Sequence, residues 1–165
     1  MKRLRLYLDT SVVSQIDDSE RGIITKQFFE IAERTGVELV ISPIVQAEIN
    51  EAKPEKQDMI MALIELLPLT KLNESTKAEM LAKQYVFAGI LNENHIDDLN
   101  HIAYAVLSDC DYIVSWNMKH LANQRTILRV HKYNSENKIP KIIIVTPKQL
   151  INKGGLCETK SERTF

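Results

Sequence analysis

Short apolar, β-rich runs alternate along this chain with longer stretches whose apolar residues recur at helical spacing. Residues 4–8, 37–41, 112–115 and 142–145 read as strands. Strands separated by helices pair in parallel through right-handed crossovers, because a helix-length connection returns the chain to the same end of the sheet. The alternation therefore predicts an α/β fold: a three-layer α/β/α sandwich around a central, mostly parallel sheet.

The helical stretches carry their own punctuation. Phe28, Phe29, Ile31 and Ala32 give a helix over 25–34, and Gly36 is placed to end it. Ser42-Pro43 opens the next, which carries Val45, Glu48 and Ile49 and runs to about Ala52. Pro54 begins a third, with Met59, Ile60, Leu63, Ile64 and Leu67 on its apolar face, which stops near Pro68. Further helices are expected over 73–91 and 96–108, with a short one over 117–122. Gly89 is expected to mark a close packing contact. Residues 125–138 give no clear reading. The expected organisation is one domain over 1–150 and a mobile tail over 151–165, where Gly154-Gly155 and mixed charge occur.

A chain of 165 residues suits one domain, and at that size folding buries roughly 70% of the unfolded surface, so no disulfide or structural metal is required. The 21 basic residues against 22 acidic ones exclude a strongly basic nucleic-acid coat, but not a local basic rim. Cys110 and Cys157 lie far apart and read as a buried apolar thiol and a tail thiol. MKRLRLYLDT has no signal-length apolar stretch before Asp9, and no run approaches the ~18 apolar residues of a membrane span. The expectation is a cytoplasmic protein with no membrane partner. The five glycines form neither a dinucleotide-binding nor a phosphate-binding loop.

In an open α/β sheet, ligands bind beyond the carboxyl ends of the strands, at the switch in strand order. Asp9 directly follows the first strand. Glu48 lies in the helix after the second. Asn117 comes two residues past the third, and Asp98 lies in the first turn of the helix before it. Each has an ordinary structural alternative: Asp9 as a turn cap, Glu48 as a solvated helix residue, Asp97 and Asp98 as favourable charges at a helix start. The expected division is that Asp97 caps and Asp98 points into the site. Convergence gives the set its meaning. Two carboxylates about 4 Å apart repel by about 4 kcal/mol at an effective dielectric of 20, so a fold that gathers three needs protons or cations to offset the repulsion. Oxygen ligands select hard cations, Mg²⁺ or Mn²⁺.

At these residues the chain resembles the PIN-domain family, which includes the VapC-type toxins of toxin–antitoxin pairs. The resemblance rests on YLDTSVVSQ at 7–15, SPIVQAEI at 42–49, DDLNHIAYAV at 97–106, DYIVSWNMKHLAN at 111–123 and TPKQL at 146–150. It implies a metal-dependent endoribonuclease with acidic residues at four positions. Asp9, Glu48 and Asp98 match three, as the metal ligands. At the fourth, where many members carry aspartate, this chain has Asn117, which brings no negative charge. Thr10 and Ser11 match small hydroxyl positions that support the site or contact substrate. The resemblance also implies RNA as substrate, an antitoxin protein as partner, and a homodimer.

Asp97, Lys119 and His120 join the list as residues that contact substrate or support the acids, with solvation of Lys119 and half-burial of His120 as alternatives. Trp116 is expected to pack under the site. His101 reads equally as support for the acids or as a core histidine, and His95 and His131 have no evident partner. Two competing functions stand beside the nuclease. One is a catalytically weak or inactive module that binds RNA or a protein, which Asn117 favours. The other is a phosphatase using Asp9 as nucleophile, which Ser11 disfavours because such sites carry a second aspartate there.

Overall fold

The computed structural model describes residues 2–154 and 156. Five strands, β1 Arg5–Leu8, β2 Glu38–Ile41, β3 Leu69–Lys71, β4 Tyr112–Val114 and β5 Ile143–Val145, form one sheet in the order β3-β2-β1-β4-β5. Every pairing is parallel, with Tyr7 opposite Val40 on one side and Ile113 on the other. The sheet is therefore parallel throughout. The order reverses at β1: the chain builds outward to β2 and β3, then crosses to β4 and β5.

The helices are α1 Thr10–Ser14, α2 Arg21–Thr35, α3 Pro43–Asn50, α4 Pro54–Leu66, α5 Thr76–Phe87, α6 Ile96–Leu107, α7 Gln124–Glu136 and α8 Pro147–Asn152. A 3₁₀ turn, Glu93–His95, leads into α6. Because side chains alternate across a strand, Leu6 and Leu8 enter one core with Val12, Phe28, Val45, Ile60 and Leu150, from α1, α2, α3, α4 and α8. Tyr7 enters the other with Ala78, Tyr85, Ile102 and Val130, from α5, α6 and α7. These are the two outer layers of the sandwich. No helix among the described residues is long and apolar enough to cross a membrane.

Several boundaries follow from local chemistry. Gly36 ends α2 in the left-handed conformation, with φ 67°. Ser75 Oγ accepts from Ala78 N at 3.2 Å, which starts α5 later than the expected residue 73. Gly89, with φ 73°, ends that helix earlier than expected, and a Cβ there would meet open space. It is a terminator and not a packing contact. The short helix expected over 117–122 is a series of turns held by Leu121 N and Ala122 N on the Asn117 carbonyl. Residues 125–138 are mostly α7. At the carboxyl end, α8 runs past residue 150 to Asn152 and Leu156 is buried in the core, while Gly155 and 157–165, with Cys157, lie outside the described residues. Cys110 is buried, which pushes its thiol up to about 12.

Candidate active site

The cleft opens where the strand order reverses. Asp9, at the end of β1, and Ser115, just past β4, meet there because the two strands are neighbours. Asp9 N donates to the Val114 carbonyl at 3.0 Å, which continues the ladder one residue beyond β1. The cleft holds about 460 Å³ and is lined by Asp9, Glu48, Asp98 and Asn117. The structure thus brings these four together from four segments of the chain.

Asp9 is 4% exposed, a level at which a carboxylate requires partners. Its Oδ2 accepts from Ser11 Oγ and Ser115 Oγ, each at 2.6 Å. Its Oδ1 lies 3.2 Å from His101 Nε2. The same nitrogen is 2.6 Å from Glu48 Oε1, so His101 bridges the two acids. Behind the ring, His101 Nδ1 is 2.7 Å from Tyr7 Oη, which in turn is 2.5 Å from Ser42 Oγ. Ser42, at the start of α3, spends its hydroxyl on this chain and not on capping the helix. Burial works against a charge on His101, yet the Asp9 and Glu48 carboxylates outweigh it and raise its pKa.

Asp98 lines the same cleft. Burial, followed by the charge of Asp9, pushes its carboxyl up to about 6. Its Oδ1 accepts from Asn117 Nδ2 at 3.0 Å. Asn117 Oδ1 accepts from His120 N at 3.0 Å, and Asn117 N donates to Ser115 Oγ at 2.9 Å. Both ends of the Asn117 amide are engaged, so it orients Asp98 and leaves no amide oxygen facing the acids.

The remaining expected residues divide. Thr10 and Ser11 line the cleft, and Thr10 Oγ1 is buried with no hydrogen-bond partner. Lys119 is exposed and lines the rim, together with Arg21. His120 is half-buried, with Nδ1 3.4 Å from Asp98 Oδ2. Burial, His95 and Lys119 lower its pKa. Asp97 is exposed, lies outside the cleft lining and does not cap α6, whose capping position is His95. Trp116 is buried and lines the cleft, and its indole donates to Thr25 Oγ1 at 2.9 Å.

Sequence reasoning missed Ser115, whose signal was its place at a strand end, and Arg21, which had none. It left His101 undecided, although a histidine three residues past an aspartate on one helix was the available clue. His95, read as partnerless, lies 3.6 Å from Asp98 and stacks on His120. His131 Nε2 is 2.7 Å from the Ile142 carbonyl.

Asp9, Glu48 and Asp98 line one cleft, an arrangement compatible with a divalent cation, and burial followed by the charge of Asp9 raises the Asp98 pKa. Among the described residues, the His, Cys, Asp or Glu side chains whose ligand atoms all lie within 4.8 Å of one another are His95, Asp98 and His120. No family model and no curated protein matches the sequence. Among solved structures, the chain is similar to one from the crystal structure of VapBC2 from Rickettsia felis bound to a DNA fragment from their promoter. The TM-score is 0.57 over 87% of this chain and 98% of that one, at 16% identity. The fold is PIN-like. At that identity the likeness speaks for architecture, and what the PIN-like scaffold does in this chain rests on the residues of the cleft.

Proposed function

We propose that this protein is a metal-dependent endoribonuclease of the PIN-domain type and acts as the toxin of a type II toxin–antitoxin pair. The observation that carries the reading is the meeting of Asp9, Glu48 and Asp98 in one cleft at the reversal of strand order. These three carboxylates would hold Mg²⁺ or Mn²⁺, which supplies Lewis acidity toward a phosphodiester and an activated water. The side chains around them keep the acids in position. Ser11 and Ser115 hold one oxygen of Asp9, His101 holds Glu48 beside it, and Asn117 turns Asp98. Lys119 and Arg21 supply positive charge at the rim, where RNA phosphates would run. Thr10 lines the cleft beside them, with its Oγ1 buried.

The test is cleavage of structured RNA with Mn²⁺ by the wild-type protein and by Asp9→Asn. Loss of cleavage in the variant supports the assignment, and unchanged cleavage refutes it. The likeness to a chain of a VapBC2 complex favours an antitoxin partner. In that reading, growth arrest on expression is relieved by co-expressing a cognate antitoxin. Homodimerisation is part of the same proposal and is read by sedimentation.

A second reading is a PIN-like module that binds RNA or a protein with little or no catalysis. The engaged amide of Asn117, at a position where a fourth acid is expected, favours it. Calorimetry with Mn²⁺ separates the two readings, since a module without metal affinity even when RNA is present is the second.

A further inference from the structure

The two oxygens of Asp98 face different surroundings. Oδ1 takes the Asn117 amide, whereas Oδ2 faces two imidazoles: Nδ1 of His120 at 3.4 Å and Nδ1 of His95 at 3.6 Å. These separations exceed the ~2.7–3.2 Å of a hydrogen bond from a ring nitrogen. The other two histidines do make such contacts, His101 at 2.6 Å and His131 at 2.7 Å. One ligand atom from each of His95, Asp98 and His120 lies within 4.8 Å of the other two.

That spacing has a specific meaning in coordination chemistry. Bonds of ~2.0–2.1 Å to imidazole nitrogen and carboxylate oxygen, arranged tetrahedrally, set neighbouring ligand atoms roughly 3.3–3.5 Å apart. We propose that His95, Asp98 and His120 form a second metal site that takes a borderline first-row divalent cation, zinc above all, and is chemically distinct from the all-oxygen cleft. Two nitrogens and one oxygen disfavour Mg²⁺ and favour Zn²⁺ or Co²⁺. Three protein ligands leave one position for water or a substrate atom. His95 and His120 line a separate groove whose wall also carries Lys119, Arg125 and Arg129.

The fold holds the site by two devices. His95 closes the 3₁₀ turn three residues before Asp98, which sets both on one face at the start of α6. His120 is fixed by its backbone donation to Asn117 Oδ1, while the other end of that amide holds Asp98. The His95 and His120 rings lie against each other with centroids 3.9 Å apart and a tilt of 37°. Asn117 is thereby a positioning residue for this site, in a role an aspartate could not fill because it has no amide to donate to Asp98.

The inference shares Asp98 with the proposed nuclease but does not require cleavage, and its test reads binding alone. Untagged full-length protein is stripped with EDTA and titrated with Zn²⁺ by calorimetry, while ring nitrogens are followed by ¹H–¹⁵N correlation spectra. The expected result is one zinc per chain with shifts at His95 and His120. His95→Gln and His120→Gln should each weaken binding by about tenfold or more, with the metal-free melting temperature unchanged. Asp9→Asn, which disables the proposed nuclease, should keep zinc, so the two readings fail separately. Absence of zinc binding, or binding that leaves both ring signals unmoved or survives the double variant, overturns the proposal. The ring signals require no substitution, so a variant that fails to fold does not shield it.

Discussion

Nε2 of His101 lies between two acids, 2.6 Å from Glu48 Oε1 and 3.2 Å from Asp9 Oδ1. The ring is 1% exposed and its far nitrogen is held by Tyr7 Oη. Removing it leaves a buried carboxylate facing another with no intervening charge. His101→Ala should destabilise the fold by about 2–3 kcal/mol, below the full cost of breaking a buried pair because Glu48 is partly exposed. Urea unfolding in EDTA measures this, and Mn²⁺ should recover part of the loss.

The pH dependence has a defined sign. Asp98 is pushed up from 3.8 to about 6 by burial and Asp9, so between those values the folded state holds a proton that the unfolded chain has released. Stability from this group therefore falls as pH rises across that window. His101 is raised above 6.5, so its contribution is complete below that value and is lost as pH rises through the higher folded pKa. Asp98→Asn should lack the first decline and keep the second. Melting temperature against pH, for both proteins in EDTA, checks the difference.

Asn117→Asp places a carboxylate where Nδ2 now donates to Asp98 Oδ1 at 3.0 Å. Without metal the two acids repel, and the variant should melt below the wild type. With Mn²⁺ the order should narrow or reverse, and RNA cleavage should rise if the missing fourth acid limits it. Scanning fluorimetry in EDTA and in Mn²⁺ reads the first effect, and initial cleavage rates read the second.

Ser115 is fully buried, donates to Asp9 Oδ2 at 2.6 Å and accepts from Asn117 N at 2.9 Å. Ser115→Ala removes both bonds and leaves the part-buried Asn117 N without its side-chain acceptor. A loss of about 1–3 kcal/mol is expected in urea unfolding. Mn²⁺ affinity should fall as well, since Asp9 Oδ2 keeps only Ser11 Oγ to orient it. Unchanged affinity would mean that Ser115 is structural alone.

Much of the scaffold was legible because hydrophobic period and caps agreed. Gly36, Ser42-Pro43 and Pro54 each mark a helix boundary within a residue or two of the observed one. What escaped has physical reasons. β3 is three residues with a partly buried pattern, too short to show alternation. The buried face of α7 is Thr126, Val130 and Asn134, and the two polar members broke its apolar stripe. Asn134 belongs there because it accepts from Tyr85 Oη at 2.8 Å. At the cleft, spacing after each strand was enough to nominate Asp9, Glu48 and Asp98. Their partners were not readable, because Ser115 and His101 reach Asp9 across 106 and 92 positions of chain. Asp97 and Asp98 differ by one step on a helix, and only packing tells which of the two faces inward.

The outermost strands, β3 and β5, have three residues each. A visiting strand would find room there for no more than a couple of ladder bonds, so neither border is a template for extending the sheet into another molecule. Short borders of this kind favour self-association and partner docking through side chains on the helical layers, where specificity can be tuned residue by residue without exposing backbone to indiscriminate pairing.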